Sequence, residues 1–293
     1  MRRKAAATPP GPRIVRTVRL GPVTAIAAGQ GRAYAVRPAQ LVEIDGRSGN
    51  IVTYAHMSEA PAGVAVGFGA VWVANGRGDL SRRYRGHDTV SRYDLLTHKI
   101  ETIPVPAPDD IATGAGSVWV LSGARKRVYR IDPATRQVVA GVRLPGGPPA
   151  DLAAGPGGAW VNARFGGGNR SLIARVDRSG RRIDATIRPR RLTASISVGG
   201  SGVWATYFGT ILHIDPRTNR VVDTFKVPNA TFTASGTRIA WANGPTGAVT
   251  RLTASGPGKV FRVGRPVEAM ALDGSLLWVL DAGGRLLEID HSG

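Results

Sequence analysis

The stretch Pro108-Asp109-Asp110-Ile111-Ala112-Thr113-Gly114-Ala115-Gly116-Ser117-Val118-Trp119-Val120-Leu121, closing on Arg130-Ile131-Asp132-Pro133-Ala134-Thr135, decides the fold. Its outline returns seven times along the 293 residues. The clearest marks are Tyr34, Trp72, Trp119, Trp160, Trp204, Trp241 and Trp278, spaced by 37 to 47 residues, the range of a propeller blade. A second landmark follows each ring: Asp45, Asp94, Asp132, Asp177, Asp215, Thr253 and Asp290. One supersecondary unit has been copied, and a single copy cannot bury its own apolar face.

Within the third copy, Ile111 to Thr113 is short and small enough for an innermost strand near a crowded axis. Ser117 to Leu121 is a continuous apolar run, which suits a strand covered on both faces, as when each sheet is sandwiched between two neighbours. Val128 to Ile131 and Val138 to Leu144 supply the third and outer strands. Asp132-Pro133-Ala134-Thr135 is a turn in which Asp accepts a backbone N–H bond and Pro presets φ. Asp215-Pro216-Arg217-Thr218 repeats it, and Asp45 and Asp94 open looser versions, so these aspartates read as turn residues. One large ring per copy reads as inter-blade packing, not as a ligand cage.

The seventh copy stops at Asp290, where its outer strand is due, while Ile14 to Leu20 matches the outer-strand pattern of Val138 to Leu144 and Val221 to Val227. The amino-terminal strand is therefore expected to complete the last blade and remove the free edges. The expected architecture is an all-β, seven-bladed β-propeller of four-stranded blades over residues 14–293, preceded by a disordered tail or linker over 1–13.

Composition adds a formal charge of +19 and a pI near 11.4. Such a surface attracts nucleic acid, anionic lipid or acidic partners, although an Arg-rich composition is also what a GC-rich genome produces. Without cysteine there are no disulfides, thiolate metal sites or cysteine nucleophiles. No apolar run approaches the ~18 residues of a membrane span. Met1 to Arg13 lacks the hydrophobic core of a secretory signal. The reading is cytoplasmic as written, and extracytoplasmic if a signal or anchor lies outside this chain.

The phrase Ile131-Asp132-Pro133-Ala134-Thr135-Arg136-Gln137-Val138-Val139, then Leu152-Ala153-Ala154-Gly155 and Ala159-Trp160-Val161-Asn162, resembles the YVTN-repeat propellers. Val71-Trp72-Val73-Ala74-Asn75 and Ile239-Ala240-Trp241-Ala242-Asn243 fit the same pattern, which covers nearly the whole chain. The resemblance implies the fold and leaves the activity open: related bacterial propellers include DNA-binding YncE-like proteins, sensor domains attached to kinases, and streptogramin B lyases. The lyases use a divalent metal with His and Glu in the late blades. Here the last two copies offer only Glu268, Glu288 and the near-terminal His291, and no His–Glu pair for proton abstraction is found.

With strands ordered from inside to outside, the loops leading into each blade share one face with the loops between second and third strands. Basic and aromatic residues gather there: Arg77, Arg82, Arg83, Tyr84, Arg85 and His87 in the second copy, and Arg125, Lys126 and Arg127 in the third. Arg164, Phe165 and Arg170 follow in the fourth, and Arg188, Arg190 and Arg191 lead into the fifth. Arg interleaved with aromatics suits phosphate contact and base stacking, and equally an acidic protein surface. Asp109, Asp110, Asp151 and Glu268 are expected near the channel mouth, where carboxylates can hold a hard divalent cation, pair with arginines or cap turns. His56, His87, His98, His213 and His291 are scattered, with no triad or metal spacing.

The leading expectation is a non-enzymatic, monomeric binding propeller that uses the basic face and channel mouth to bind an anionic partner, protein or nucleic acid, with no catalytic residue and no cofactor. The alternatives are a metal-assisted lyase or hydrolase around Asp109, Asp151 and Glu268, and a sensor or scaffold domain of a larger receptor or regulator.

Overall fold

A computed structural model of the chain describes residues 11–57, 61–76, 88–164, 170–189 and 193–292. It forms seven four-stranded antiparallel sheets arranged in a ring, a seven-bladed β-propeller. Blade 3 shows the plan: inner strand Asp110–Gly114, second strand Ser117–Ser122, third strand Arg127–Asp132, outer strand Gln137–Arg143. Blade 7 has only three strands of its own (Val267–Asp273, Leu276–Asp281, Arg285–Asp290). The expected amino-terminal strand, Arg13–Arg19, pairs antiparallel with Arg285–Asp290 and fills the fourth place.

The ring is held by one contact made seven times. Each blade's second strand is buried on both sides, and its aromatic ring is at most 1% exposed. Tyr34 of blade 1 packs among Val64, Val71 and Val73 of blade 2, and Trp72 packs on Ile111, Val118 and Val120 of blade 3. The pattern continues through Trp119 on blade 4, Trp160 on blade 5, Trp204 on blade 6 and Trp241 on blade 7. Trp278 of blade 7 closes the circle against Ala33, Ala35, Val42 and Ile44 of blade 1. The inner strands carry small residues because they converge on the axis. A Cβ on Gly114 would lie 2.8 Å from the backbone of Ala154 and Gly155 in the next blade.

The landmark aspartates do what their turn chemistry predicts. Asp132 accepts bonds from Ala134 and Thr135 N–H at 2.8 and 3.1 Å, and Asp45, Asp94 and Asp215 accept from the residue two positions on. These backbone bonds hold the Asp45, Asp132 and Asp215 carboxyls below the usual carboxylate range.

Closure has its own polar clamp. Arg16, in the amino-terminal strand, contacts Glu288 at 3.0 Å, donates to Gly46 O at 2.7 Å and also reaches Arg47 O. It thereby ties blade 7 to the turn of blade 1. Glu288 is 2% exposed; burial pushes its carboxyl up, and Arg16 opposes that shift. Arg16→Ala leaves this carboxylate without its cation. The expected cost is about 2–4 kcal/mol, below a wholly buried pair because the guanidinium is one-third exposed. Arg13→Ala, which removes only an exposed contact to Asp290, is expected to change stability by less than about 1 kcal/mol. Urea midpoints of the two variants check the contrast.

Candidate functional site

The inner strands run from a loop face, carrying the links between blades and the loops between second and third strands, to a turn face, carrying the tight hairpins and aspartate turns. Three of the four carboxylates expected at the channel mouth converge on the loop face. Asp110 opens the inner strand of blade 3, and its Oδ1 accepts from Ile111 N–H at 2.8 Å. Its Oδ2 accepts from Leu152 N–H of blade 4 at 2.9 Å. Asp151 repeats the device one blade on: Oδ1 accepts from Leu152 N–H at 3.0 Å and Oδ2 from Ile196 N–H of blade 5 at 2.6 Å. Each carboxylate thus brackets its blade to the next. Asp109 accepts from Gly123 N–H through Oδ2, while its buried Oδ1 has no partner.

Asp109, Asp110 and Asp151 share a cavity of about 560 Å³, walled by Gly123, Ala124 and Pro148 to Ala150. Burial raises the Asp110 carboxyl well above its ordinary range, and the neighbouring Asp151 charge raises it further. Asp151 is pushed up to about 6 by burial, against the hydrogen bonds from Ile196, Ser195 and Leu152. Both residues are partly exposed, but the packed protein around the carboxyls governs their ionisation. Two carboxyls so placed share a proton and titrate as a pair.

Glu268 lies elsewhere, in a separate cavity of about 440 Å³ with Gly21, Pro22 and Gly284. The register shifts between Val267 and Ala269, so Glu268 is the extra residue of a β-bulge and turns out of the inner strand. The four carboxylates therefore form no single constellation. Among the described residues no three His, Asp or Glu side chains group as a metal site.

Of the basic residues, Arg77, Arg82, Arg83, Tyr84, Arg85, Phe165, Arg190 and Arg191, and the side chain of Arg164, lie outside the described residues. Arg125, Lys126, Arg127 and Arg170 sit on the loop face as expected. Gly123 to Lys126 is a tight turn closed by Lys126 N–H to Gly123 O at 3.1 Å, with Lys126 in the left-handed region at φ 51°. Sequence reading missed Arg143, at the end of the outer strand and directly across from Arg127. Like charges placed opposite each other are destabilising. Arg143 and Lys126 line a shallow groove of about 650 Å³ leading to Ile183 and Thr186 of blade 4. Arg125, Lys126, Arg143 and Arg170 have no ion-pair partner among the described residues.

Acidic residues occupy both faces. Six of the chain's twenty acidic residues are the turn aspartates, all on the turn face. The loop face holds Asp109, Asp110 and Asp151 bound to backbone N–H groups, Asp281 bound to Arg285 at 2.7 Å, and also Asp88 and Glu268. No helix among the described residues is long and apolar enough to cross a membrane.

No protein-family model and no curated protein matches the chain. Among solved structures it is similar to a chain described as Kuenenia stuttgartiensis hydrazine synthase, with a TM-score of 0.74 over 92% of this chain and 96% of that one. The two are 12% identical, so the likeness extends to the propeller fold alone.

The aspartate pair makes stability depend on pH in a definite direction. Its folded-state pKa values lie above the unfolded value of about 3.9, so the folded state holds more protons and stability falls as pH rises from about 4 through 6 and beyond. Asp110→Asn keeps the shape and removes one ionisation. Its melting temperature is expected to gain on wild type between pH 5 and 8. Parallel curves would contradict the shared proton.

Proposed function

We propose that this chain is a binding propeller of the YVTN-repeat type whose loop face docks an anionic partner, nucleic acid or an acidic protein surface. The observation that carries this reading is a group of cations on the loop face, Arg125, Lys126, Arg143 and Arg170, that has no ion-pair partner among the described residues. The Arg127–Arg143 juxtaposition supports it, because a like-charge pair that weakens the fold has a rationale where an external anion completes it. The inner-strand aspartates serve as inter-blade brackets in this reading, and catalysis is not assigned to them.

The test is a fluorescence-anisotropy titration against single- and double-stranded DNA and RNA at two salt concentrations. Nucleic-acid docking predicts an affinity that falls steeply with salt as counterions are released. The double variant Arg125→Glu, Arg127→Glu is expected to lose binding by at least about tenfold, as removing charge-assisted contacts does. Binding to an acidic protein with weak nucleic-acid affinity would select the other partner class. Binding that is unchanged in the double variant overturns the proposal.

A further inference from the structure

The repeat has one position whose partners can be compared blade by blade. Directly across from each buried aromatic, on the third strand, stand Glu43, Arg92, Arg130, Arg175, His213, Arg251 and Glu288. Six of the seven find polar partners on the turn face. Glu43 meets Arg32 and Glu288 meets Arg16. Arg92 binds Asp94 at 2.7 Å, and Arg130 binds Ser117 Oγ at 2.8 Å. Arg175 donates to Pro216 O at 2.7 Å and to Asn219 Oδ1 at 2.9 Å, and His213 Nε2 lies 2.9 Å from Ser201 O.

Arg251 is the exception. Among the described residues it has no hydrogen bond or ion pair, and its Nε is buried without a partner. Blade 6 is also the copy in which Thr253 stands at the turn-aspartate position, the position that receives Arg92 in blade 2, whereas Arg130 and Arg175 find their partners elsewhere. The Thr253 hydroxyl is engaged locally, with Ser255 Oγ at 2.8 Å.

A second orphan faces the same place from the next blade. His291 is 7% exposed, its Nε2 has no partner, and its ring packs 5.6 Å from Trp241. Arg251 and His291 both line a cavity of about 440 Å³ between blades 6 and 7, with Arg238, Ser275 and Ser292 at its rim. The Trp241 indole N–H behind it is also unbonded, as is that of Trp278, whereas those of Trp72 and Trp119 reach carbonyls at 3.0 and 2.9 Å. Buried polar groups are rarely left so, and here they cluster where the repeat lost its carboxylate.

We propose that this cavity binds a small ligand through a carboxylate or phosphate group, which takes the place of the missing aspartate between Arg251 and His291. The cationic Arg251 and the His291 Nε2–H tautomer or imidazolium donate to the oxyanion, and the Ser275 hydroxyl at the rim supplies a further donor, the Ser292 hydroxyl being engaged with Asp290 at 2.7 Å. The volume falls within the range of small-molecule pockets. The site is on the turn face, away from the loop-face partner proposed above, so either assignment can fail without the other.

The experiment is an NMR titration of the full chain, following the ring signals of His291 with inorganic phosphate and, separately, citrate. Saturable shifts of His291 with at least one probe are expected. Thr253→Asp restores the aspartate of the other copies within the protein itself. It is expected to weaken binding at least about tenfold and to raise the melting temperature without ligand. Arg251→Gln is expected to weaken binding similarly without unfolding the blade. Absence of saturable His291 shifts with both probes overturns the proposal. So does binding that persists unchanged in both variants, which would belong to the general cationic surface.

Discussion

Everything in this ring depends on one aromatic side chain per blade being buried in the next blade. The contact is cyclic: the seventh ring, Trp278, packs on the first blade, whose own Tyr34 packs on the second. A cycle of this kind has no terminal repeat, so no blade presents an uncovered apolar face that needs capping. Closure of the chain adds the backbone pairing of Arg13–Arg19 with Arg285–Asp290, and the Arg16–Glu288 clamp fixes that pairing to blade 1. The sheets are rigidly spaced as a result, and the loops and turns at either end inherit fixed positions.

Those fixed positions give the two faces different chemistry. The turn aspartates are held by backbone N–H bonds and serve local geometry, and several of them are also met by arginines of the same face, as Asp94 is by Arg92 and Asp177 by Arg182. The opposite face carries loops that vary between copies, and there Arg125, Lys126, Arg143 and Arg170 have no ion-pair partner among the described residues. The formal charge of +19 leaves a net cationic molecule, and long-range fields of this sort steer anionic partners.

The fold was legible in the sequence because its signals are local and repeated. The apolar run Val118-Trp119-Val120-Leu121 needs both faces covered, and Asp132-Pro133 is a turn whatever surrounds it. The amino-terminal closing strand was legible by subtraction, from the strand that copy seven lacks. The site was less so. Asp109, Asp110 and Asp151 share one cavity, but the bonds of Asp110 and Asp151 to Leu152 and Ile196 of following blades depend on inter-blade stagger, which no local pattern encodes. Glu268 was displaced by a one-residue bulge, and a bulge leaves no compositional mark. Arg143 escaped notice because it ends an ordinary outer strand, and becomes interesting only through the Arg127 it faces. Thr253 was visible as the odd member of the landmark series. That Arg251 and His291, residues from different blades, line one cavity shows only in the packed structure.

The central claim is that the seven interfaces form one closed, cooperative ring. Native-state hydrogen exchange measures this most directly, by comparing amides of Arg285–Asp290, the strand that pairs with the closing strand Arg13–Arg19, with those of Arg127–Asp132 in the middle of the chain. A closed ring predicts that both sets exchange only through the same global opening, with the same free energy and the same denaturant dependence. Exchange of Arg285–Asp290 through a separate opening of much lower free energy would contradict it, because the seventh interface would then not share in the cooperativity of the rest.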